Sequence, residues 1–137
     1  FTRVIRKLSN RDLIRLDEKT MKVVLLAYAS LSEVFFAWSE AELDFGYGDL
    51  VLVPNRIQAL ARYGFLIELK YLKTGAAEEA VSARLDEADA QLRRYLADPK
   101  ITALAGVSGL RAVSVAFVGT EACCYRMLDG ETRTLAA

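Results

Sequence analysis

Charge placed inside apolar strands constrains this chain more than any other feature of its sequence. Gly48-Asp49 opens the apolar run Leu50, Val51, Leu52, Val53, and Glu68 and Lys70 lie within the apolar run Phe65 to Leu72. Side chains alternate across a strand, so Glu68 and Lys70 share one face while Ile67 and Leu69 share the other. Burying a carboxylate and an ammonium there is costly unless they pair or bind something. With Asp49 at the start of a neighbouring strand, these charged groups meet at one sheet edge. Two carboxylates suit a hard divalent cation, and a lysine steadies the anion that forms beside it. That combination points to phosphodiester chemistry. The plainer reading is a turn-exit aspartate and an ion pair on a solvated sheet face, which contributes little energy.

The rest of the chain narrows the chemistry. Its 137 residues make one domain with room for a sizeable core. The formal net charge is zero and the pI is near 6.5, so any pull toward nucleic acid is local. The basic stretch is N-terminal: Arg3, Arg6, Lys7, Arg11, Arg15, Lys19 and Lys22 stand against Asp12, Asp17 and Glu18. It is expected to be a solvated face. Histidine is absent, which removes His-based general base catalysis, Cys-His and Ser-His-Asp nucleophiles, and His-ligated zinc or iron. Cys123 and Cys124 are adjacent, a spacing at which a disulfide is strained. They are expected as a buried reduced pair in a cytoplasmic protein. The apolar stretch Val23 to Trp38 contains Ser30, Ser32 and Glu33 and is shorter than the ~20 apolar residues of a membrane span.

Residues 1–16 read as a basic N-terminal segment, with Asn10 a candidate cap for a short helix. Asp17 caps a long helix expected from Lys19 to Ala37, on the helical spacing of Val24, Leu25, Tyr28, Leu31, Phe35 and Phe36. Strands are expected at Ser39–Leu43, Asp49–Val53 and Phe65–Tyr71. A helix follows over Ala76–Leu96, with Val81, Leu85, Ala88, Leu92 and Tyr95 or Leu96 on its stripe. Residues 101–109 form a linker or short helix. Leu110–Val118 and Glu121–Leu128 form a hairpin, and the tail from Asp129 is expected to fray. The predicted fold is α/β: an antiparallel meander, a helical crossover to a parallel strand, and helices on both faces of a mixed sheet.

That order and those residues resemble the PD-(D/E)xK nuclease superfamily. The resemblance implies a restriction-endonuclease-like core of αβββαβ order, here with an added C-terminal hairpin strand. The superfamily's first acid matches Asp49 in GYGDLVLVP, and its Glu-x-Lys matches Glu68 and Lys70 in GFLIELKYLK. A Gln-x-x-x-Tyr motif of some branches matches Gln91 and Tyr95 in AQLRRYL, four residues apart on one helix face. Gly48 stands where the motif's proline would. The stretches NRDLIRLDEK, LLAYASLSEVFFAWSE, GYGDLVL and IELKYLK are similar to a bacterial branch in which the domain follows an AAA-type ATPase-like domain. This chain, which starts at Phe1, would then be the C-terminal part of a longer protein, with residues 1–16 linking to the upstream domain and 17–137 forming the nuclease-like domain.

The resemblance implies Mg²⁺-dependent hydrolysis of nucleic-acid phosphodiester bonds, DNA being the expected substrate and Mn²⁺ an alternative metal. Asp49, Glu68 and the Leu69 backbone carbonyl would ligate the metal, and Lys70 would position water or stabilise charge. Gln91 and Tyr95 would support the lysine or contact phosphate. A further acid is expected from Glu40 or Glu33; the Ser39-Glu40 pair of that branch favours Glu40. Many members dimerise. The rival is a weak or inactive nuclease-like module that regulates or docks the attached ATPase. No G-x-x-x-x-G-K loop is present, so the domain itself is not expected to hydrolyse ATP.

Overall fold

Asp17 caps the first described helix, as expected of it. Its Oδ1 accepts from the Thr20 N–H at 2.8 Å and from the Thr20 hydroxyl at 2.7 Å, satisfying a donor that a helix start leaves open. In this computed structural model, which describes residues 17–43, 46–57, 61–105, 109–128 and 130–136, helix α1 spans Glu18–Leu31. The basic segment 1–16, with the cap expected at Asn10, lies outside the described residues.

Helix α1 is shorter than its periodicity suggests. Ser32 turns its hydroxyl back onto the Ala29 carbonyl (2.6 Å), and Glu33 adopts a left-handed backbone with φ 56°. The Asn55 side chain holds that turn by donating to the Glu33 carbonyl at 3.0 Å. Phe35, Phe36 and Ala37 therefore belong to strand β1, Phe35–Leu43, and not to the helix. Aromatic side chains suit a pleated surface better than a helix end, and pairing with the next strand decides between them.

The remaining elements are β2 (Gly46–Pro54), β3 (Gly64–Leu72), α2 (Glu78–Leu96), α3 (Pro99–Ala105), β4 (Leu110–Val118), β5 (Ala122–Met127) and β6 (Thr132–Ala136). The sixth strand replaces the frayed tail. It pairs antiparallel with β5, Cys124 opposite Thr134, and their side chains touch at 3.5 Å. The sheet order is β1-β2-β3-β4-β5-β6, antiparallel except for the β3–β4 pair. Helix α2 makes the crossover between those parallel strands, as the sequence pattern implies.

The period of two in β3 sorts the core onto two faces. Leu69, Val113, Val115 and Phe117 pack with Met21 of α1. Leu66 and Ala112 pack with Leu92 and Tyr95 of α2. Arg126 of β5 clasps α2 through Asp86 at 2.7 Å and Asp89 at 2.9 Å. Asp98, fully buried, accepts from the Lys100 N–H (2.8 Å) and starts α3.

One local feature positions the site. Strands β2 and β3 pair only from Leu52↔Phe65 to Leu50↔Ile67, although both continue. At the closed end Gly64 permits close approach: a Cβ there would lie 2.8 Å from the Leu52 carbonyl oxygen. Beyond Leu50 the strands part. The β1–β2 hairpin then bends over α2, so that Leu43 joins the α2-side cluster. Gly46 (φ 133°) lies against the Tyr95 ring there, at a backbone angle that glycine adopts without strain.

Candidate functional site

The fork between β2 and β3 holds the charged residues singled out in the sequence. Asp49 is the first residue of β2 past the ladder, and its carboxylate fills the gap. The Leu69 N–H of β3 donates to Asp49 Oδ2 at 2.9 Å, replacing the backbone partner that β2 no longer supplies. Asp49 Oδ1 lies 3.3 Å from Lys22 Nζ of α1.

Glu68 and Lys70 lie on the opposite face of β3 from Leu69, as alternation requires. Both are buried, Glu68 to 3 % exposure and Lys70 to 8 %. Lys70 Nζ donates to Glu68 Oε1 at 3.0 Å, while Glu68 Oε2 is buried with no hydrogen-bond partner. Burial pushes the Glu68 carboxyl up to about 7, the nearby Asp49 charge adds to the rise, and the Lys70 hydrogen bond only partly offsets it. The plainer reading, a weak ion pair on a solvated face, therefore does not hold. The pair is enclosed, and one carboxylate oxygen is orphaned at a cost that a ligand would relieve.

Tyr95 projects from α2 beside this cluster, and Gln91 stands one helical turn before it on the same face of α2. Tyr95 belongs to the buried stripe of Val81, Leu85, Ala88 and Leu92. Burial raises its phenol above the ordinary range, with the Glu68 and Asp49 charges contributing, so the ring is within electrostatic reach of both acids. Gln91 is half-buried, and its Oε1 is another buried acceptor with no hydrogen-bond partner.

The two candidates for a further acid separate clearly. Glu33 is in the α1–β1 turn, its carbonyl held by Asn55 just beyond the far end of β2. Asn55 is six residue steps from Asp49, roughly 20 Å at about 3.3 Å per step. Glu33 is thus neither helical nor near the fork. Residue 40 lies in β1, where Ser39 pairs with Leu50 and Ala41 with Gly48, which puts it at the register position of Asp49. The Glu40 side chain lies outside the described residues.

Lys22 was not anticipated at the site. The sequence places it in a basic stretch expected to be solvated, yet its side chain is only 13 % exposed and its ammonium sits on Asp49. The available signal was local: Lys22 follows Met21, a core residue of α1, within an apolar helix. Among the described residues the fork thus joins two carboxylates and two lysines, Lys22 reaching in from α1 and Lys70 from the α2 side. Among the described residues no cluster of three or more His, Cys, Asp or Glu side chains forms a metal cage. The donor set nonetheless fits a hard divalent cation that keeps much of its water: two carboxylates, one with an oxygen lacking any partner, and no soft ligand.

Away from the fork, the cysteines match the expected buried pair only in part. Both are free thiols, Cys124 buried and Cys123 half-buried. Burial pushes the Cys123 thiol up to about 11, with Cys124 adding to it. No helix among the described residues is long and apolar enough to cross a membrane.

The family model of the PD-(D/E)XK nuclease superfamily matches residues 16–126. No curated protein and no solved structure matches the chain.

Proposed function

The chain belongs to the PD-(D/E)XK nuclease superfamily, and from that premise we propose that it is a divalent-metal-dependent nuclease acting at the β2–β3 fork. The observation that carries this reading is the orphaned Glu68 Oε2 in an enclosed pair of carboxylates. Folding spends free energy to hold the buried Glu68 near the part-buried Asp49, and a cation between them would return it.

Asp49 and Glu68 would hold the metal, with the Leu69 carbonyl as a further oxygen ligand. Mg²⁺ is the expected ion and Mn²⁺ an acceptable substitute. When bound, the ion supplies charge for a phosphate oxygen and makes a coordinated water more acidic. The chain's own groups do the rest. The Leu69 N–H fixes the Asp49 carboxylate in one orientation. Lys70, held by Glu68 in the resting state, is close enough to steer an attacking water or meet the charge that develops on phosphate. Tyr95 packs against the Gly46 backbone and keeps the β1–β2 hairpin over the site. Gln91 carries an acceptor with no protein partner, suited to orienting Lys70 or a water. Glu40 is the further acid of this reading, supported by its register with Asp49.

A nuclease implies a nucleic-acid partner, and we infer DNA as its form. An upstream AAA-type ATPase-like domain in the same polypeptide belongs to the same reading, on the sequence stretches that resemble that branch. Two free thiols support a reducing, cytoplasmic setting. The test is a cleavage assay on single-stranded, duplex and branched DNA and RNA with Mg²⁺ or Mn²⁺, with Lys70→Ala alongside. Metal-dependent cleavage that Lys70→Ala abolishes supports the reading. Metal binding without cleavage on every substrate would favour a regulatory module instead.

A further inference from the structure

The nuclease reading uses Asp49, Glu68 and Lys70 and leaves Lys22 without a task. Lys22 is not an ordinary helix lysine. It follows Met21, which anchors α1 in the core at 1 % exposure. Its stem is drawn in along the sheet, its side chain is 13 % exposed, and its ammonium lies 3.3 Å from Asp49 Oδ1. Ordering so long a side chain is entropically costly, and an exposed lysine would avoid that cost. The opening of the β2–β3 ladder makes the arrangement possible. Only in that gap does a side chain from α1 meet the acid that β2 presents.

The pairing sets up a competition. Asp49 Oδ2 already accepts from the Leu69 N–H, and the Lys22 ammonium occupies Oδ1. A divalent cation bound by Asp49 would sit within a few ångströms of the ammonium and repel it. Lys22 must then move, and its flexible stem, anchored beside Met21, keeps the head close to the fork. A phosphate drawn to the metal offers that ammonium a new anion.

We propose that Lys22 is a phosphate-binding lysine held in reserve on Asp49: it lowers the site's affinity for metal alone and contacts the substrate's phosphate once metal has displaced it. The inference rests on the nuclease reading and deepens it. Metal and substrate would bind in mutual support, because each gives one member of the Lys22–Asp49 pair its new partner. Lys70 on the α2 side and Lys22 on the α1 side would then grip the nucleic-acid backbone from both faces of the sheet.

The test separates the two roles. Mn²⁺ affinity is measured by calorimetry for the wild type, Lys22→Gln and Lys22→Met, the last keeping most of the buried stem should Gln disturb α1. Without the ammonium, metal should bind roughly three- to tenfold tighter, the effect of removing a partly exposed charge pair. Binding of a short duplex is then measured in Ca²⁺ across a salt series. The variants should bind it more weakly, with the salt slope reduced by about one, the signature of one lost phosphate contact. Lys22→Arg should restore the duplex slope. Unchanged metal affinity or an unchanged salt slope in both variants, with the wild type binding metal and duplex, would overturn the role of Lys22 and leave the nuclease reading standing. A wild type that binds no metal would take both down.

Discussion

The two faces of β3 come from one nine-residue strand and have opposite fates. Phe65, Ile67, Leu69 and Tyr71 turn toward α1 and join an apolar cluster with Met21, Val113 and Phe117. Leu66, Glu68, Lys70 and Leu72 turn the other way, and two of these are charged and buried. The α1 face also opens into a roomy apolar cleft of about 400 Å³, lined by Phe35, Phe65, Phe117 and Tyr125 among others. By size alone that cleft looks like the binding site. None of its described lining residues is a carboxylate or a lysine, so they offer nothing charged to hold a metal or a phosphate. The site proposed for this chain's chemistry sits where space is scarce and charge is trapped. Cavity volume and catalytic capacity are separate properties, and the unsatisfied polar atom is the better guide.

The comparison breaks most visibly in activity. Asp49→Asn or Glu68→Gln should lower cleavage by about a thousandfold or more, because each removes the charge of a proposed metal ligand. Met21→Ala on the apolar face should leave kcat within about twofold while the protein is folded. Steady-state kinetics on one substrate decide both, and comparable losses from the two faces would erase the distinction.

In stability the ranking reverses. Met21→Ala empties a fully buried position and should cost about 2–4 kcal/mol in urea unfolding. The charged face shows itself through pH instead. The Glu68 carboxyl is raised from 4.5 to about 7 in the folded protein, so the native state binds the proton more tightly than the unfolded chain. Its contribution is fully present below about pH 4.5 and is lost as pH rises through about 7. Between pH 5 and pH 8 the metal-free wild type should therefore lose about 2–3 kcal/mol more than Glu68→Gln does. Parallel stability curves for the two proteins would mean that Glu68 is not desolvated as the fold implies.

A smaller effect concerns the thiol bordering the apolar cleft. With its proton held up to about 11, Cys123 should react with iodoacetamide at pH 8 roughly a hundredfold more slowly than an ordinary thiol. Rapid alkylation of the native protein would show that the cleft is open to water.

Much of this was legible in the residues. The Asp17 cap, the span Leu110–Val118, the crossover of α2 and the shared face of Glu68 and Lys70 all follow from local pattern. What stayed hidden depends on distant partners. Phe35–Ala37 continue a helical period, and only the turn at Ser32 and Glu33 with pairing to β2 makes them strand. Thr132–Ala136 has little apolar pattern of its own and becomes a strand because β5 needs a partner. Lys22 looks like any helix lysine until the β2–β3 fork brings Asp49 to it. Glu33 competed as a site acid in the sequence and lost when its turn fell at the far end of β2.

The central claim is that Asp49 and Glu68 form a divalent-cation site, and calorimetric titration with Mg²⁺ and Mn²⁺ tests it most directly. Wild type should bind at millimolar concentration or tighter, more tightly as pH rises through about 7, with Asp49→Ala and Glu68→Ala losing the signal. No binding by the wild type at millimolar metal, or binding that survives both substitutions, would contradict it.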